Sequence, residues 1–338
     1  MINEKNDYTL YEEEVLSQWR SRGNKARNFL ENNNYIKLLS QYLDLAGEQD
    51  FFPYVDPDSD KLNICSYYSE LTDYLNLVEG NGGWVFERPK GCKSRNENEN
   101  DNNNIKIAVK EKGKIKFWIT SDQFGFSADR GALFNKKYPY GCLYEYAKFR
   151  ADKWKIYELI AECILKTRTL GGGFVWPVMK KSDGTGTNYC TFNCRGVDTY
   201  IEDRVDVTLL EIKKYYSNND EEKKSSFVFE KVNADKRFGK WFDHFLHYVD
   251  ADGSSYYGFK SYVKYFGFDD FVMEENGDCW PIDIIESDLE NNKKVSLKDN
   301  NGKKIKDISS VDDLKRMVKN VRKMTIERSK LMSKIVSA

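Results

Sequence analysis

Ile105, Ile107 and Val109 precede Lys112-Gly113-Lys114, and Ile115, Phe117 and Ile119 follow it. Strict period-two alternation places every second side chain on one face, and an extended strand is the element with that period. The two runs predict a β-hairpin with one apolar face, and that face requires a covering layer. A second hairpin is expected where Phe174-Val175-Trp176-Pro177-Val178 and Tyr189-Cys190-Thr191-Phe192 flank a Gly-containing turn at 182–186. Trp84-Val85-Phe86 adds a strand after Gly80-Asn81-Gly82-Gly83.

Three- and four-residue apolar spacings surround these strands and predict helices over 8–45, 66–78, 141–167, 202–216, 236–250 and 259–274. Pro281-Ile282-Asp283-Ile284-Ile285 is a short strand candidate. Ser310-Val311-Asp312-Asp313 supplies an N-cap and early acids for a last helix over about 310–337. Strands grouped at about 84–120 and 174–193 among these helices favour an α+β fold over a doubly wound sheet. The expected organisation is a mainly helical region over 1–88, an α+β central domain over 105–285 and a basic amphipathic C-terminal helix over 308–338. Residues 93–104 carry no apolar side chain and are expected to form a mobile polar loop.

Charge is balanced. Lys+Arg is 53 against Asp+Glu 54, so the net charge of −1 excludes the molecule-wide basic field that would make nucleic acid the default partner. No apolar run approaches the roughly 18 residues of a membrane span, and residues 1–7 show no signal-peptide pattern. The expectation is a soluble cytoplasmic protein with no membrane partner.

The seven cysteines are widely spaced without a C-x-x-C pair, and small buried thiols are expected. The two histidines, His244 and His247, would share one face of a helix. A metal site there would need a third ligand from elsewhere, so two ordinary histidines on a helix are expected, with no metal and no cofactor. No G-x-S-x-G elbow accompanies them, which argues against conventional nucleophilic hydrolysis.

The densest stretch is 167–211. Gly171-Gly172-Gly173 lacks the G-x-G-x-x-G or Gly-Lys-Ser/Thr context of a phosphate loop, and the residues that follow read as a strand. Three residues without Cβ are better suited to a close backbone crossing at a strand bend. Arg168, Arg195 and Arg204 can build either an ionic network or an anion pocket with Asp122, Asp203 and Asp206. Architecture is expected ahead of catalysis, and an enzyme or nucleotide-binding protein using this Arg/Asp set is the alternative.

Thr120-Ser121-Asp122-Gln123-Phe124-Gly125-Phe126-Ser127, Arg168-Thr169-Leu170-Gly171-Gly172 with Trp176-Pro177, Asn193-x-Arg195-Gly196 and Asp203-Arg204-Val205-Asp206-Val207-Thr208-Leu209 resemble, in that order, a bacterial and phage family with no assigned chemistry. The likeness covers about 115–275, with departures at Phe126 and Gly173. In its Asn/Lys/Tyr-rich style the chain is also similar to phage anti-defence proteins, including the Gabija anti-defense proteins that sequester a host nuclease complex. That likeness implies a phage-encoded inhibitor acting in the host cytoplasm.

From Ser310 onward, eight basic residues stand against three acids, a local net of +5. Leu314, Met317, Val321, Met324, Leu331 and Ile335 approach a heptad seam broken by Arg328. Lys315, Lys319, Arg322 and Met324 are therefore candidate interface residues for a protein partner or a second copy of the chain, with nucleic acid less favoured. The resulting expectation is a non-enzymatic protein-binding protein, an inhibitor that occludes a bacterial defence complex such as Gabija.

Overall fold

The computed structural model describes residues 64–78, 82–88, 107–123, 169–180, 187–189, 204–298, 305 and 310–337. The helices expected over 8–45 and 141–167, the polar loop at 93–104 and the turn of the second hairpin lie outside these residues.

Five strands form one antiparallel sheet in chain order: β1 (Trp84–Glu87), β2 (Ile107–Glu111), β3 (Lys114–Gln123), β4 (Gly173–Lys180) and β5 (Thr187–Tyr189). The two expected hairpins join in one sheet where Gln123 to Ile119 pair with Gly173 to Pro177; of the strand expected at 189–192 only Tyr189 is among the described residues, and β5 begins earlier, at Thr187. The β2–β3 turn has Lys112 at φ 50° and Gly113 at φ 75°. Two central residues with positive φ match the right-handed twist of the strands, which is why glycine stands at the second position. The alternation read from sequence holds in part: Ile107 faces Ile119 and Val109 faces Phe117 across the ladder, all buried, but the register shifts between Val109 and Lys110 and Ile115, beside the turn, is 49% exposed.

The apolar face is covered by aromatic rings. Helix α1 (Ile64–Leu77) contributes Leu71, Tyr74 and Leu75, followed by Val78 just past its end, a spacing of three, one and three that lies on one helical face. Trp84 packs edge-on to Phe117 at 5.1 Å and lies 6.1 Å from Trp241. Tyr74 donates its hydroxyl to the carbonyl of Tyr265, and Tyr265 donates back to that of Leu75. Two residues 190 apart in sequence are thereby tied together.

Between 204 and 244 run α2 (Val205–Tyr215), α3 (Asp220–Ser225), α4 (Phe227–Ala234) and α5 (Lys236–His244). The helix expected over 202–216 is α2; α3 and α4 had no counterpart in the sequence reading. Their boundaries are set by capping side chains. Asn219 accepts from Glu221 and Glu222 N–H, Ser226 from Val228 N–H and Asp235 from Arg237 N–H. Ser226 and Asp235 each end one helix and start the next, so one polar residue satisfies the orphan amides that divide the segment.

Three expectations need correction. The helix over 236–250 stops at His244, and His247–Val249 is strand β6, paired with β7 (Ser255–Tyr257) through the Asp252-Gly253 turn. The helix over 259–274 is α6 (Gly258–Tyr265), ended by Gly267 at φ 63°. Beyond it lie a 3-10 turn at Asp269–Phe271, then β8 (Val272–Glu275) and β9 (Asp278–Pro281). Asn276 and Gly277, at φ 54° and 81°, form the β8–β9 turn. Third, only Pro281 of the candidate 281–285 strand belongs to a strand. Asp283 instead folds the chain into a turn, its Oδ1 accepting from Ile285 and Glu286 N–H.

Helix α7 (Val311–Ser337) is built into the core. Met317, Val318, Val321, Met324 and Met332 are buried, and it packs on α1, on the Leu170–Gly172 turn and on Asp269–Phe271. Arg328 does not interrupt this contact. Its guanidinium is 1% exposed, lies 3.9 Å from the Phe268 ring and donates to three carbonyls: Phe266 at 2.9 Å, Gly171 at 2.8 Å and Gly173 at 2.7 Å. Asn320 works the same way, donating to the carbonyls of Ile284 and Ser287 and accepting from Leu289 N–H.

Candidate functional site

The residues singled out from sequence separate into three groups. Arg168, Arg195 and Asp203 lie outside the described residues, and Asp122 sits in β3 in register with Phe174. Arg204 and Asp206 form a pair at the start of α2. Arg204 donates from Nε at 2.8 Å and from Nη2 at 2.6 Å to the two carboxylate oxygens, with both side chains 1% exposed. Asp206 also accepts from Ile284 N–H at 3.2 Å, so the pair holds the 282–285 turn against α2. Burial, and secondarily the nearby Asp206, push the Asp283 carboxyl above the usual carboxylate range.

The third group lies on α7. Lys319 pairs with Glu290 at 2.7 Å and Arg322 reaches the same carboxylate at 3.7 Å. Lys315 is half-buried on the same helix. Met324, expected on an interface, is 1% exposed and belongs to this chain's own core. Met317, Val321 and Met324 of the apolar seam seen in the sequence are spent on intramolecular packing, whereas Leu331 is 40% exposed.

The two histidines part company. His244 stacks on Trp84 with ring centroids 3.6 Å apart and planes at 4°, while His247 lies in β6 and stacks on Tyr257. The bend after α5 removes the shared helix face that the i, i+3 spacing suggested. Among the described residues, no three His, Cys, Asp or Glu side chains are grouped to hold a metal ion.

A groove of about 730 Å³ opens where the end of α2, the α2–α3 turn, the β6–β7 hairpin, the start of α6 and the β8–β9 hairpin meet. One wall is dictated by strand register: His247 and Tyr257 are cross-strand partners, and their rings stack at 4.6 Å with planes at 19°. Tyr257 is 68% exposed and Leu246, beside it, 46%. Gly258, at φ 57°, turns the chain from β7 into α6 and donates its N–H to Leu246 O at 2.8 Å.

Another part of the lining is electrostatic. Lys213 Nζ donates to both oxygens of Asp278, at 2.8 and 2.7 Å, and sits 4.2 Å from the Trp280 ring centroid. Lys260 pairs with Glu274 at 2.5 Å, a hydrogen bond that raises the lysine's pKa. Ser217 donates to Glu222 at 2.6 Å. Tyr216 spends its hydroxyl inward on Phe242 O at 2.6 Å. Burial pushes the Cys279 thiol up to about 11, so at neutral pH it is protonated and a poor nucleophile. The groove thus combines a bare aromatic face with ion pairs already formed.

This site was not among the residues chosen from sequence. The signals were present: Asp252-Gly253 and Asn276-Gly277 are the dipeptides that favour two-residue hairpin turns. Reading them would have replaced two over-long helices with the two hairpins that wall the groove.

Residues 154–252 match the model of a family of unknown function (DUF6994). That stretch spans the Arg168–Gly172, Asn193–Gly196 and Asp203–Leu209 motifs and the α2, α5 and β6 parts of the structure; Thr120–Ser127 lies outside it. No curated protein and no solved structure matches the chain. Among the described residues, no helix is long and apolar enough to cross a membrane.

Proposed function

We propose that this protein works by binding another protein, and that the groove between the β6–β7 and β8–β9 hairpins is the contact surface. The observation that carries this reading is the exposed Leu246, His247 and Tyr257 wall standing beside Trp280 in one open groove. Tyrosine and tryptophan anchor many interfaces because they offer large contact area with few rotatable bonds. The ionisable groups of the groove support binding more than catalysis. Lys213, Lys260, Asp278 and Glu274 are engaged with one another, and the Cys279 thiol is held protonated.

The finer form of the proposal, an inhibitor occluding a bacterial defence complex such as Gabija, rests on the chain's similarity in style to phage anti-defence proteins. Its test mixes a substoichiometric amount of the protein with purified Gabija complex and follows nuclease activity over time. Occlusion gives a loss that stops at a fixed molar ratio. Progressive loss beyond that ratio would mean turnover, and no loss at molar excess would remove Gabija as the partner.

A further inference from the structure

The groove also shows what its partner should present. Its charges are paired, but they are not equally buried. The Lys213 side chain is 12% exposed while that of its partner Asp278 is 55% exposed. The ammonium is tucked between Trp280 and Phe259, at 4.2 and 5.9 Å from their ring centroids, and the carboxylate faces outward. In the second pair Glu274 is 53% exposed against 45% for Lys260. At the first pair an approaching group therefore meets carboxylate oxygen first, while at the second both partners are similarly exposed.

The same groove is lined by a flat surface of the right kind. One face of Tyr257 is against His247, and at 68% exposure the rest of the ring is open to solvent. A planar cation satisfies both walls at once. A guanidinium stacks on an aromatic face and forks to carboxylate oxygens, whereas an ammonium is a compact, strongly hydrated point charge that does neither as well. Phosphate is disfavoured, because Lys213 is withdrawn from solvent against Trp280 while the carboxylate of Asp278 faces outward and would repel it. At about 730 Å³ the groove accommodates an arginine with its neighbouring backbone, and Leu246 on the rim offers apolar contact to a flanking residue.

We propose that the groove recognises an arginine side chain in an extended segment of a partner protein, stacked on Tyr257 and facing the carboxylate of Asp278. This rests on the protein-binding reading above and assigns the chemistry of the segment that enters the groove.

The test uses fluorescein-labelled tetra-arginine, tetra-lysine and tetra-glutamate peptides and anisotropy at about 150 mM salt, where charges more than about 8 Å apart are largely screened. Tetra-arginine is expected to bind, tetra-lysine to bind at least about fivefold more weakly and tetra-glutamate not at all. Tyr257→Ala and Asp278→Asn should each weaken tetra-arginine binding by about tenfold, the size of one cation–π contact or one exposed charge contact. Tyr257→Phe keeps the ring and should bind as the parent does. Tyr257 is exposed, so Tyr257→Ala should melt like the parent and a loss of binding is not a loss of fold.

Equal binding of arginine and lysine peptides, or tetra-arginine binding unchanged by Tyr257→Ala, would overturn the proposal. If tetra-arginine does not bind but a photocrosslinker at position 257 still captures a partner in cells while one at position 85 does not, arginine recognition is wrong and the binding reading stands. If neither is seen, both fall.

Discussion

Gly171 donates its amide to Ser329 Oγ at 3.1 Å, and a Cβ on Gly171 would fall 2.3 Å from that same oxygen. The same Cβ would lie 2.4 Å from Ser329 N and 2.5 Å from Thr325 O, so the obstacle is helix backbone as well as a hydroxyl. Ser329 Oγ also shares a 2.8 Å hydrogen bond with Thr169 Oγ1. The middle of the chain and its last helix are joined here at a distance only glycine allows.

Gly171→Ala should therefore be severely destabilising, at or above the roughly 1–3 kcal/mol typical of overpacking, since α7 must move to admit one methyl group. Gly113→Ala is the contrast. No atom lies within 4 Å of its Cβ position, so its cost comes from the left-handed backbone alone. Urea unfolding of the two variants should rank them in that order.

Arg328→Met preserves bulk in the core but leaves the carbonyls of Phe266, Gly171 and Gly173 without this donor. Each buried acceptor left unsatisfied costs about 1–3 kcal/mol, so a loss of at least about 3 kcal/mol is expected. Arg328→Lys should not rescue it, because an ammonium lacks the fork that reaches separate carbonyls. Removal of 310–338 should likewise cost the whole fold rather than a docking arm, measured as lost near-ultraviolet dichroism.

Asp206 and Asp283 should respond in opposite directions. Asp206→Asn leaves the Arg204 guanidinium buried without its carboxylate, a change that costs about 3–5 kcal/mol in comparable pairs. Asp283 has a raised pKa in the folded state, so the native protein holds that proton more tightly than the unfolded chain. Its contribution to stability falls as pH rises from the unfolded carboxylate value through the raised folded value, and is level above it. Asp283→Asn keeps the acceptor for Ile285 and Glu286 N–H while removing the charge. It should be more stable than the parent at pH 7, with the advantage vanishing in acid, as read by thermal melts across pH.

Cys279 should resist alkylation by iodoacetamide at pH 8 in the folded protein and become reactive on unfolding, since burial holds its thiol near 11. Peptide mapping by mass spectrometry reads this residue separately from the other cysteines. Rapid modification of the native protein would place a reactive thiolate in the groove and favour the enzyme alternative.

The sequence made some of this architecture legible and hid the rest for identifiable reasons. Alternation around Lys112-Gly113-Lys114 predicted β2 and β3 because period and turn agreed. The α+β class and the span of α7 followed from similarly local signals. Arg328 misled because a charge on an apolar seam looks like an interruption. It is a core residue because of the Phe266 carbonyl, 62 residues away, and those of Gly171 and Gly173, more than 150 away. The groove is hard to read from sequence because aromatic spacing around Phe242 to Asp250 and Phe259 to Glu274 also suits a helix and masks the two Asx-Gly turns. The pairing of Lys213 with Asp278 spans 65 residues and has no signature in either segment.

The binding account is tested most directly by placing p-benzoylphenylalanine at position 257, and separately at position 85, and irradiating cells that express each form. Val85 is 53% exposed on β1 and does not line the groove, so it controls for exposed apolar surface in general. The account expects one discrete protein crosslinked from position 257 and absent from position 85. Equal crosslinking from both positions, or crosslinking from 85 alone, would contradict it.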